Sequence, residues 1–533
     1  MANNSCKDLP DEVWELILNK LHQRHHSLLE SPSLSCKRFL SITNALRTRL
    51  SIVDRTTIPL STLFSRFPNL NSVHLRFFSP GDLGRVIADI ATSGLNLRTL
   101  NFTGTDGLPL ESCRFLGSRM KNIRVLICLA LRTLRDIELV VIADSMPCLE
   151  DLDISFPEND FGSDPELQGR TLGEVGVTDS GIESLIALST NCVYLKEISV
   201  LGCHLLTLFG IGFVLRNSTN LSLLSVGEID FGQLDDFSIR WARNLSTLNI
   251  YNSVVSDECL HLLANAGIPL KKFTLSHFVH SSFTFSGISS LLNKYRSLKG
   301  LSLVRIDFLT DEKMSGLSQC LSAVVTISLD GCDNLTESTF FMLAKNCPLL
   351  VDIRMQGTNL GGGGDKTTDI VKNPRINLEV PVVSSCKGIT EKGIADFLKS
   401  GSKLRSLRID ECGGIKNIGN GFELSELDFI GAARSGINDD GLVLIGNRCL
   451  RLLNLNLDGY LGVTIVGLKE ILTNCERLRK INLTGCLNVC TETADWMVFS
   501  RPSLRKIILP HSYLPSESQR QLFLHCGCLV LSK

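Results

Sequence analysis

The sequence lacks an excess of charge of either sign. It carries 54 Lys plus Arg against 55 Asp plus Glu over 533 residues, which gives a formal net charge of −1. These charges are spread along the chain, so no uniform electrostatic field attracts a polyanion. We therefore do not expect nucleic acid as a main partner.

Two further absences concern membranes and secretion. The first residues, MANNSCKDLPDE, contain no basic stretch followed by an apolar one and do not resemble a secretory signal. No run approaches the roughly 18 to 20 apolar residues that cross a bilayer. Without a secretion signal, the 19 cysteines favour a reducing compartment, in which they behave as small buried apolar residues. We expect a nuclear or cytoplasmic protein with no membrane partner.

An apolar triplet of the form L-x-x-L-x-L recurs along the chain at spacings close to 26 residues. Its last two residues are two apart, so both face the same side of a short strand. One strand cannot bury that side alone, whereas neighbours stacked in parallel build a continuous core. Clear copies are Leu97/Leu100/Phe102, Leu149/Leu152/Ile154, Leu298/Leu301/Leu303, Leu452/Leu455/Leu457 and Leu478/Ile481/Leu483.

Between the strands, many repeats carry a Thr or Ser, then an acid, then two apolar residues at helical spacing. Ser256-Asp257 before Leu260 and Leu263 is one example. The hydroxyl suits a helix N-cap, and the acid suits the positive end of the helix dipole. Each repeat therefore predicts a strand, a turn and a short helix. The other examples are Thr178-Asp179 and Thr390-Glu391.

Cysteines mark the repeats at two positions, after the strand and before the next one. The pairs are Gly202-Cys203, Gly331-Cys332, Glu411-Cys412 and Gly485-Cys486 after it, and Asn191-Cys192, Asn346-Cys347 and Asn474-Cys475 before it. These marks resemble the cysteine-containing leucine-rich repeats of F-box proteins, most similar to those of plants. The resemblance implies an α/β fold, a curved solenoid with parallel strands on the concave side and helices on the convex side. About 17 repeats would span 68–533, with long loops near 156–176 and 357–375.

Residues 5–48 do not fit the repeat and are followed by a connector at 49–67. After Leu9-Pro10, apolar residues recur at steps of three and four, which predicts an amphipathic helix. This helix, followed by Ser-Leu-Ser-Cys-Lys-Arg-Phe at 33–39, resembles the F-box. The resemblance implies docking on a Skp-type adaptor and, through it, on cullin and RING subunits. By matching position, the docking and packing residues are Leu9, Pro10, Trp14, Ile17, Leu18, Leu34, Cys36 and Phe39. The alternative is a helical cap that covers the first repeat, a role that every solenoid end needs.

The sequence offers little for chemistry. GGGGDKTT at 361–368 lacks the Gly directly before Lys that a phosphate-binding loop requires, and we interpret it as a linker. His525-Cys526-Gly527-Cys528 supplies fewer ligands than a structural zinc site needs. Asp439-Asp440 occupies the helix-capping position of its repeat. We expect no catalytic residues, no metal and no cofactor, hence a chain that is not an enzyme.

Residues that flank the buried ones on each strand form the predicted binding surface for a protein substrate. Acids concentrate in the C-terminal third at Asp410, Glu426, Asp428 and Asp458, with Arg408 opposing them and Arg354 nearby. The hypothesis is that this acidic patch receives a basic segment of the substrate. The alternative is that these are ordinary solvated strand residues.

The leading interpretation is the substrate-recognition subunit of an SCF-type ubiquitin ligase, which acts by bringing its target close to catalytic subunits. A second is a hormone co-receptor, which holds a small molecule beneath a substrate peptide and needs a basic floor. Lys and Arg are scattered in the predicted surface, which argues against such a floor. A third is a ligase-independent interaction scaffold, in which the N-terminal module binds no adaptor.

Overall fold

The structure is a computed structural model. It describes residues 9–24, 29–53, 59–105, 107–131, 134–156, 182–203, 206–231, 239, 241–276, 282–360, 380–382, 386, 406–408, 410–412, 429–434, 437–459, 462–489, 493–510, 513 and 515–532. The predicted loops near 156–176 and 357–375 fall mostly outside these residues, as do GGGGDKTT, Thr178-Asp179 and Thr390-Glu391.

Short strands and short helices alternate along the described residues. The strands are β1 Arg49–Val53, β2 Ser72–Arg76, β3 Thr99–Thr103, β4 Val125–Ile127, β5 Asp151–Asp153, β6 Glu197–Val200, β7 Leu223–Gly227, β8 Thr247–Tyr251, β9 Lys272–Ser276, β10 Gly300–Val304, β11 Thr326–Ser328, β12 Asp352–Arg354, β13 Val380–Val382, β14 Ser406–Arg408, β15 Phe429–Gly431, β16 Asn454–Asn456, β17 Lys480–Asn482, β18 Lys506–Leu509 and β19 Leu529–Ser532. The helices are α1 Asp11–Arg24, α2 Glu30–Ser35, α3 Lys37–Leu46, α4 Leu60–Arg66, α5 Pro80–Thr92, α6 Leu110–Arg119, α7 Asp136–Ser145, α8 Ile182–Asn191, α9 Leu208–Asn217, α10 Asp257–Asn265, α11 Phe285–Lys294, α12 Asp311–Ser318, α13 Glu337–Asn346, α14 Asp439–Arg448, α15 Ile465–Asn474, α16 Thr493–Ser500 and α17 Glu517–His525.

The described residues belong to two units. The first unit lies within 1–20 and 41–295, and the second within 21–40 and 296–533. Strands β1 to β9 pair in parallel, in chain order, in the first unit. Strands β10 to β19 do the same in the second. The stretch 49–67, expected as a connector, already contains β1 and α4.

The buried residues of the strands are those of the apolar triplet. In the first unit, Leu75 pairs with Phe102 across β2 and β3, and both side chains are fully buried. In the second unit, Ile481 pairs with Ile507 across β17 and β18 and is buried in the same way. The predicted leucine-rich-repeat fold, with parallel strands in one layer and helices in the other, is confirmed.

The acid at the start of several helices bonds to the following repeat as well as facing its own helix dipole. Asp257 accepts hydrogen bonds from the backbone N–H of Thr284 at 2.8 Å, from its hydroxyl at 2.6 Å and from the N–H of Gly287 at 3.0 Å. Thr284 is itself the N-cap of α11. Asp439 accepts the same two bonds from Thr464, the N-cap of α15. The Ser/Thr-acid pair therefore joins consecutive repeats.

The repeat cysteines also join neighbouring repeats. The thiol of Cys332 donates to the carbonyl of Leu303 at 3.4 Å, and that of Cys486 donates to the carbonyl of Leu457 at 3.0 Å. Burial raises the pKa of the Cys332 thiol to about 12, so it stays protonated and remains a donor at neutral pH. These cysteines are buried as expected, and they make a polar bond that the sequence did not predict.

The residue before several of these cysteines adopts a left-handed backbone conformation. Gly331 has φ +70°, and a Cβ there would lie 2.7 Å from Cγ of Arg305 in the preceding repeat. Glycine is favoured at this turn both by its backbone freedom and by the space available. Glu411, which replaces glycine in one of the four pairs named above, has φ 60°.

No helix in the described part of the chain is long and apolar enough to cross a membrane.

Candidate partner-binding surfaces

Helix α1 presents apolar side chains to the surface. Leu16 is 66% exposed, Ile17 40%, and Leu9 and Val13 are each 37% exposed. Leu18, by contrast, is 3% exposed and packs inward. Val13, Leu16 and Ile17 are three or four residues apart and so lie along one side of α1, and Leu9 lies two residues before the helix begins. We call Leu9, Val13, Leu16 and Ile17 the apolar stripe of α1.

The stripe contains two of the residues predicted to dock an adaptor and two that were left out of that set. Leu9 and Ile17 were predicted, whereas Val13 and Leu16 were not, although their spacing signals the same side of the helix. Of the remaining predicted residues, Pro10 and Leu34 are exposed, and Trp14 is half-buried.

Cys36 and Phe39 belong to the start of α3. Cys36 is exposed and precedes the helix, and its Sγ accepts a hydrogen bond from the backbone N–H of Phe39 at 3.4 Å. Phe39 is half-buried. Cys36 therefore acts as a cap for α3, a local role that its place in the predicted docking set did not indicate.

Two of the four acids in the predicted acidic patch are described. Asp410 and Asp458 are half-buried and follow β14 and β16, whereas Glu426 and Asp428 lie outside the described residues. Oδ1 of Asp410 accepts a hydrogen bond from the backbone N–H of Ala433 at 2.7 Å. Asp410 thus holds the next repeat in place, which supports a structural role beside any role in binding.

The surroundings of Asp410 leave its carboxyl less acidic than usual. Burial is the main cause that raises the pKa of Asp410, and the carboxylates of Glu411 and Asp458 act in the same direction. The Ala433 hydrogen bond and the guanidinium of Arg408 oppose this rise. Arg408 is exposed on β14, and Arg354 is exposed on β12 with its guanidinium 3.5 Å from the carboxylate of Asp352.

A second group of acids, in the first unit, was not part of the predicted acidic patch. Asp151 and Asp153 lie on β5, and Glu197 on β6 is the register partner of Asp151. Burial, followed by the carboxylates of Glu197 and Asp153, raises the pKa of Asp151 to about 6. The sequence contained a signal for this group. Two acids on one strand, Asp151 and Asp153, are separated by a single residue, and the next repeat has an acid, Glu197, at the position of Asp151.

Groups that can perform chemistry are sparse among the described residues. No group of three or more His, Cys, Asp or Glu side chains in the described ranges could hold a metal ion. Asp439 and Asp440, predicted at the helix-capping position, form the first turn of α14, and the N-cap is the preceding residue Asn438. Burial raises the pKa of Cys528 to about 12, which makes it a poor nucleophile.

The geometry defines a repeat protein of the leucine-rich-repeat type with exposed surfaces suited to binding other molecules. No protein-family model matches the chain. A curated Caenorhabditis elegans protein, the putative RNA-binding protein EEED8.10, is 26% identical over 247 residues, covering 44% of this chain and 33% of that protein. The chain therefore matches about a third of the length of that relative.

Three solved structures are similar in fold. A chain of the yeast Rad7 and Elc1 complex is 14% identical with a TM-score of 0.43, covering 87% of this chain and 95% of that chain. A chain of the TLR13–ssRNA13 complex is 11% identical with a TM-score of 0.38, covering 87% and 80%. An internalin (inlF) from Listeria monocytogenes is 16% identical with a TM-score of 0.36, covering 65% and 82%.

Proposed function

We propose that this chain is the non-catalytic substrate-recognition subunit of an SCF-type ubiquitin ligase. Helices α1 to α3 dock a Skp-type adaptor that leads to cullin and RING subunits, and the strand faces of the repeats bind the protein to be ubiquitinated. The observation that carries the proposal is the apolar stripe of α1. Large apolar side chains grouped on one exposed helix side mark a surface for a partner.

The exposure of the stripe favours adaptor docking over a purely capping role. A helix that only covers the end of a repeat stack buries its apolar side against that stack. In α1, Leu18 is buried, whereas Leu16 and Ile17 remain 66% and 40% exposed. Helix α1 can therefore contribute to packing through Leu18 and still offer four apolar side chains to another protein.

The repeats supply binding surface and geometry in this proposal. A bound target is held near the conjugating enzyme, so its lysines react at a high effective concentration without catalytic groups in this chain. The acidic patch stays a prediction for the capture of a basic segment of the target. Reversing the charge of Asp428 and Asp458 should reduce capture, and unchanged capture would remove the patch from the proposal.

Adaptor docking can be tested by pull-down of the full chain with a purified Skp-type adaptor and cullin. The triple variant Leu9→Ala, Leu16→Ala, Ile17→Ala should bind the adaptor at least about tenfold more weakly than the wild type does. Each truncation removes apolar contact area. Its matched control is Val466→Ala, Leu487→Ala, Leu522→Ala, which truncates side chains that are 59%, 71% and 45% exposed on the second unit.

Thermal unfolding of both variants checks that the repeats remain folded. Capture by the wild type and the control, with loss in the α1 variant, supports the ligase-subunit proposal. Failure of the intact chain to bind the adaptor would contradict it and favour the ligase-independent scaffold.

A further inference from the structure

The outward side chains of strands β1 to β6, in the first unit, change the sign of their charge along the sheet. The first residues of these strands are register partners, in the order Arg49, Ser72, Thr99, Val125, Asp151 and Glu197. Neighbouring strands lie about 4.8 Å apart, so about 19 Å of sheet separates Arg49 from Asp151. The strand face therefore has a basic end at β1 and β2 and an acidic end at β5 and β6.

The basic end contains two arginines close to a histidine. Arg49 of β1 and Arg76 of β2 are exposed. Burial lowers the pKa of His74 on β2, and the guanidinium groups of Arg49 and Arg76 lower it further, since both lie near the ring. Within the described ranges, no acid forms an ion pair with either arginine. Both guanidinium groups can therefore bind carboxylates of another molecule.

The acidic end contains three carboxylates without a basic partner. Among the described residues, Asp151 and Glu197 form no hydrogen bond or ion pair, and Asp153 accepts one bond, from the N–H of Ser155 at 3.0 Å. Burial raises the pKa of Asp151, the carboxylates of Glu197 and Asp153 raise it further, and no cation opposes them. A lysine or arginine of another molecule would supply the missing positive charge.

Each end also carries an exposed phenylalanine with an uncommon backbone conformation. Phe77, after β2, is 66% exposed with φ 60°, and Phe156, after β5, is 42% exposed with φ 54°. A Cβ added at Gly104 or Gly202 of the following repeats would lie 3.1 or 2.9 Å from these rings, so each ring lies across a glycine. Bulky residues rarely adopt this conformation, which costs free energy and clusters at binding sites.

The two strands between the ends carry no charge on their outward positions. These half-buried positions hold Thr99, Asn101 and Thr103 on β3, and Val125 and Ile127 on β4. From β2 to β5 the sheet spans about 14 Å, which an extended chain covers with about four or five residues. A polyanion such as nucleic acid would meet the carboxylates at one end of this surface and be repelled.

We infer that this bipolar face binds an extended segment of a partner protein that carries acids at one end and Lys or Arg at the other. The bipolar face comprises Arg49, Arg76, Phe77, Asp151, Phe156 and Glu197. The acids of the segment pair with the arginines, its cations pair with the carboxylates, and its apolar side chains contact the two phenylalanine rings. The opposite charges of the two ends fix the direction in which the segment lies. The face requires no adaptor and is thus independent of the proposed ligase role.

The test is fluorescence anisotropy of the purified full chain with two labelled peptides of identical composition. The segregated peptide has two glutamates, a spacer of leucine, serine, glycine and leucine, and then two lysines. The mixed peptide has one glutamate and one lysine on each side of the same spacer. The segregated peptide should bind at least about tenfold more tightly than the mixed one, and its affinity should fall as salt is added.

Charge variants assign the binding to the two ends of the face. The variants are Arg49→Gln, Arg76→Gln for the basic end, Asp151→Asn, Glu197→Gln for the acidic end, and the control Arg85→Gln, Lys121→Gln. Each end variant should weaken binding of the segregated peptide at least about fivefold. The control removes two exposed cations from outside the strands and should change the affinity by less than about twofold.

The phenylalanines are tested by a variant that separates binding from stability. Phe77→Gly, Phe156→Gly should weaken the segregated peptide by at least about fivefold, because the aromatic contact area is lost. Its Tm should not fall, because glycine adopts a positive φ without strain. A lower Tm with unchanged binding would assign the two rings to the fold and overturn their place in the face.

Tighter binding of the segregated peptide, lost in both end variants and kept in the control, supports the inference. Equal binding of the two peptides, or failure of both to bind, would overturn it. So would a single-stranded RNA dodecamer that binds through Arg49 and Arg76 while neither peptide competes. Adaptor pull-down with the end variants should be unchanged, so failure of the ligase proposal and failure of the bipolar face are distinguishable.

Discussion

The two units have the same pattern of buried apolar residues, but they differ in the charged residues that immediately precede some of their strands. In the first unit, Glu150 precedes β5 and binds both Arg124 and Lys196, its counterparts in the repeats on either side, at 2.5 and 2.9 Å. In the second unit, the corresponding positions before β17 and β18 hold Arg479 and Arg505. The first row places an acid between two basic residues, whereas the second places two arginines in adjacent repeats.

The first residue of each strand shows the same contrast with opposite sign. Asp151 and Glu197 face each other in the first unit, and Lys480 and Lys506 face each other in the second. None of these residues contributes to the apolar core. The comparison teaches that interior positions repeat because they build the apolar core, while outward positions are free to differ in the sign of their charge between the units.

The largest expected effect concerns the hydrogen bonds between consecutive repeats, which both units share. Asp311 accepts bonds from the N–H of Thr336 at 3.0 Å, from its hydroxyl at 2.6 Å and from the hydroxyl of Thr339 at 2.6 Å, as Asp257 accepts three in the first unit. Asp311→Ala and Asp257→Ala should each lower the free energy of unfolding by about 3 kcal/mol, because each variant loses three hydrogen bonds between repeats at about 1 kcal/mol each. Urea denaturation measures this loss.

The neighbouring exposed acid Glu312 provides the control for Asp311, since Glu312→Ala should change the unfolding free energy by less than about 0.5 kcal/mol. A large loss in only one of the two Asp variants would break the claim that the units share their interior.

An intermediate effect concerns the acids of the first unit. The pKa of Asp151 is raised to about 6, above that of an unfolded Asp, about 3.9. A raised pKa in an acid contributes stability below the unfolded value, and this is lost as pH rises through the folded value. Asp151→Asn should therefore stabilise the protein at neutral pH by about 1 kcal/mol, allowing for partial exposure, and have no effect near pH 4.

Thermal unfolding across this pH range checks the prediction for Asp151, with the exposed Asp89→Asn as the control. The same difference between wild type and Asp151→Asn at every pH would contradict a raised pKa for Asp151.

The smallest expected effect sharpens the contrast in the second unit. Arg479→Glu converts a like pair with Arg505 into an opposite pair, as in the Arg124–Glu150–Lys196 row. The free energy of unfolding should rise by about 0.5 kcal/mol at low salt and less at high salt. Chemical denaturation at two salt concentrations measures it. A loss of stability would mean that Arg479 makes a favourable contact that outweighs its repulsion of Arg505.

Much of the fold was predictable because its signal is local and repeated. The apolar triplet predicted the buried residues of each strand, and the Ser/Thr-acid pair predicted helix starts such as Ser256-Asp257. The apolar stripe of α1 was predicted in part, since helical spacing alone groups Val13 and Leu16 with Leu9 and Ile17. Asp410 was predicted as a binding residue, and its bond to Ala433 was not, because that bond joins residues of different repeats.

The sequence by itself determined the parallel repeat and the amphipathic helix, since both follow from the spacing of apolar residues over a few positions. Only the tertiary structure decided which charges meet. Lys480 and Lys506 are 26 residues apart, and in the sequence they count among scattered lysines. The register of β17 against β18 makes them neighbours. Coulomb interactions depend on distance in space, which the strand register sets, and so the candidate sites required the folded chain.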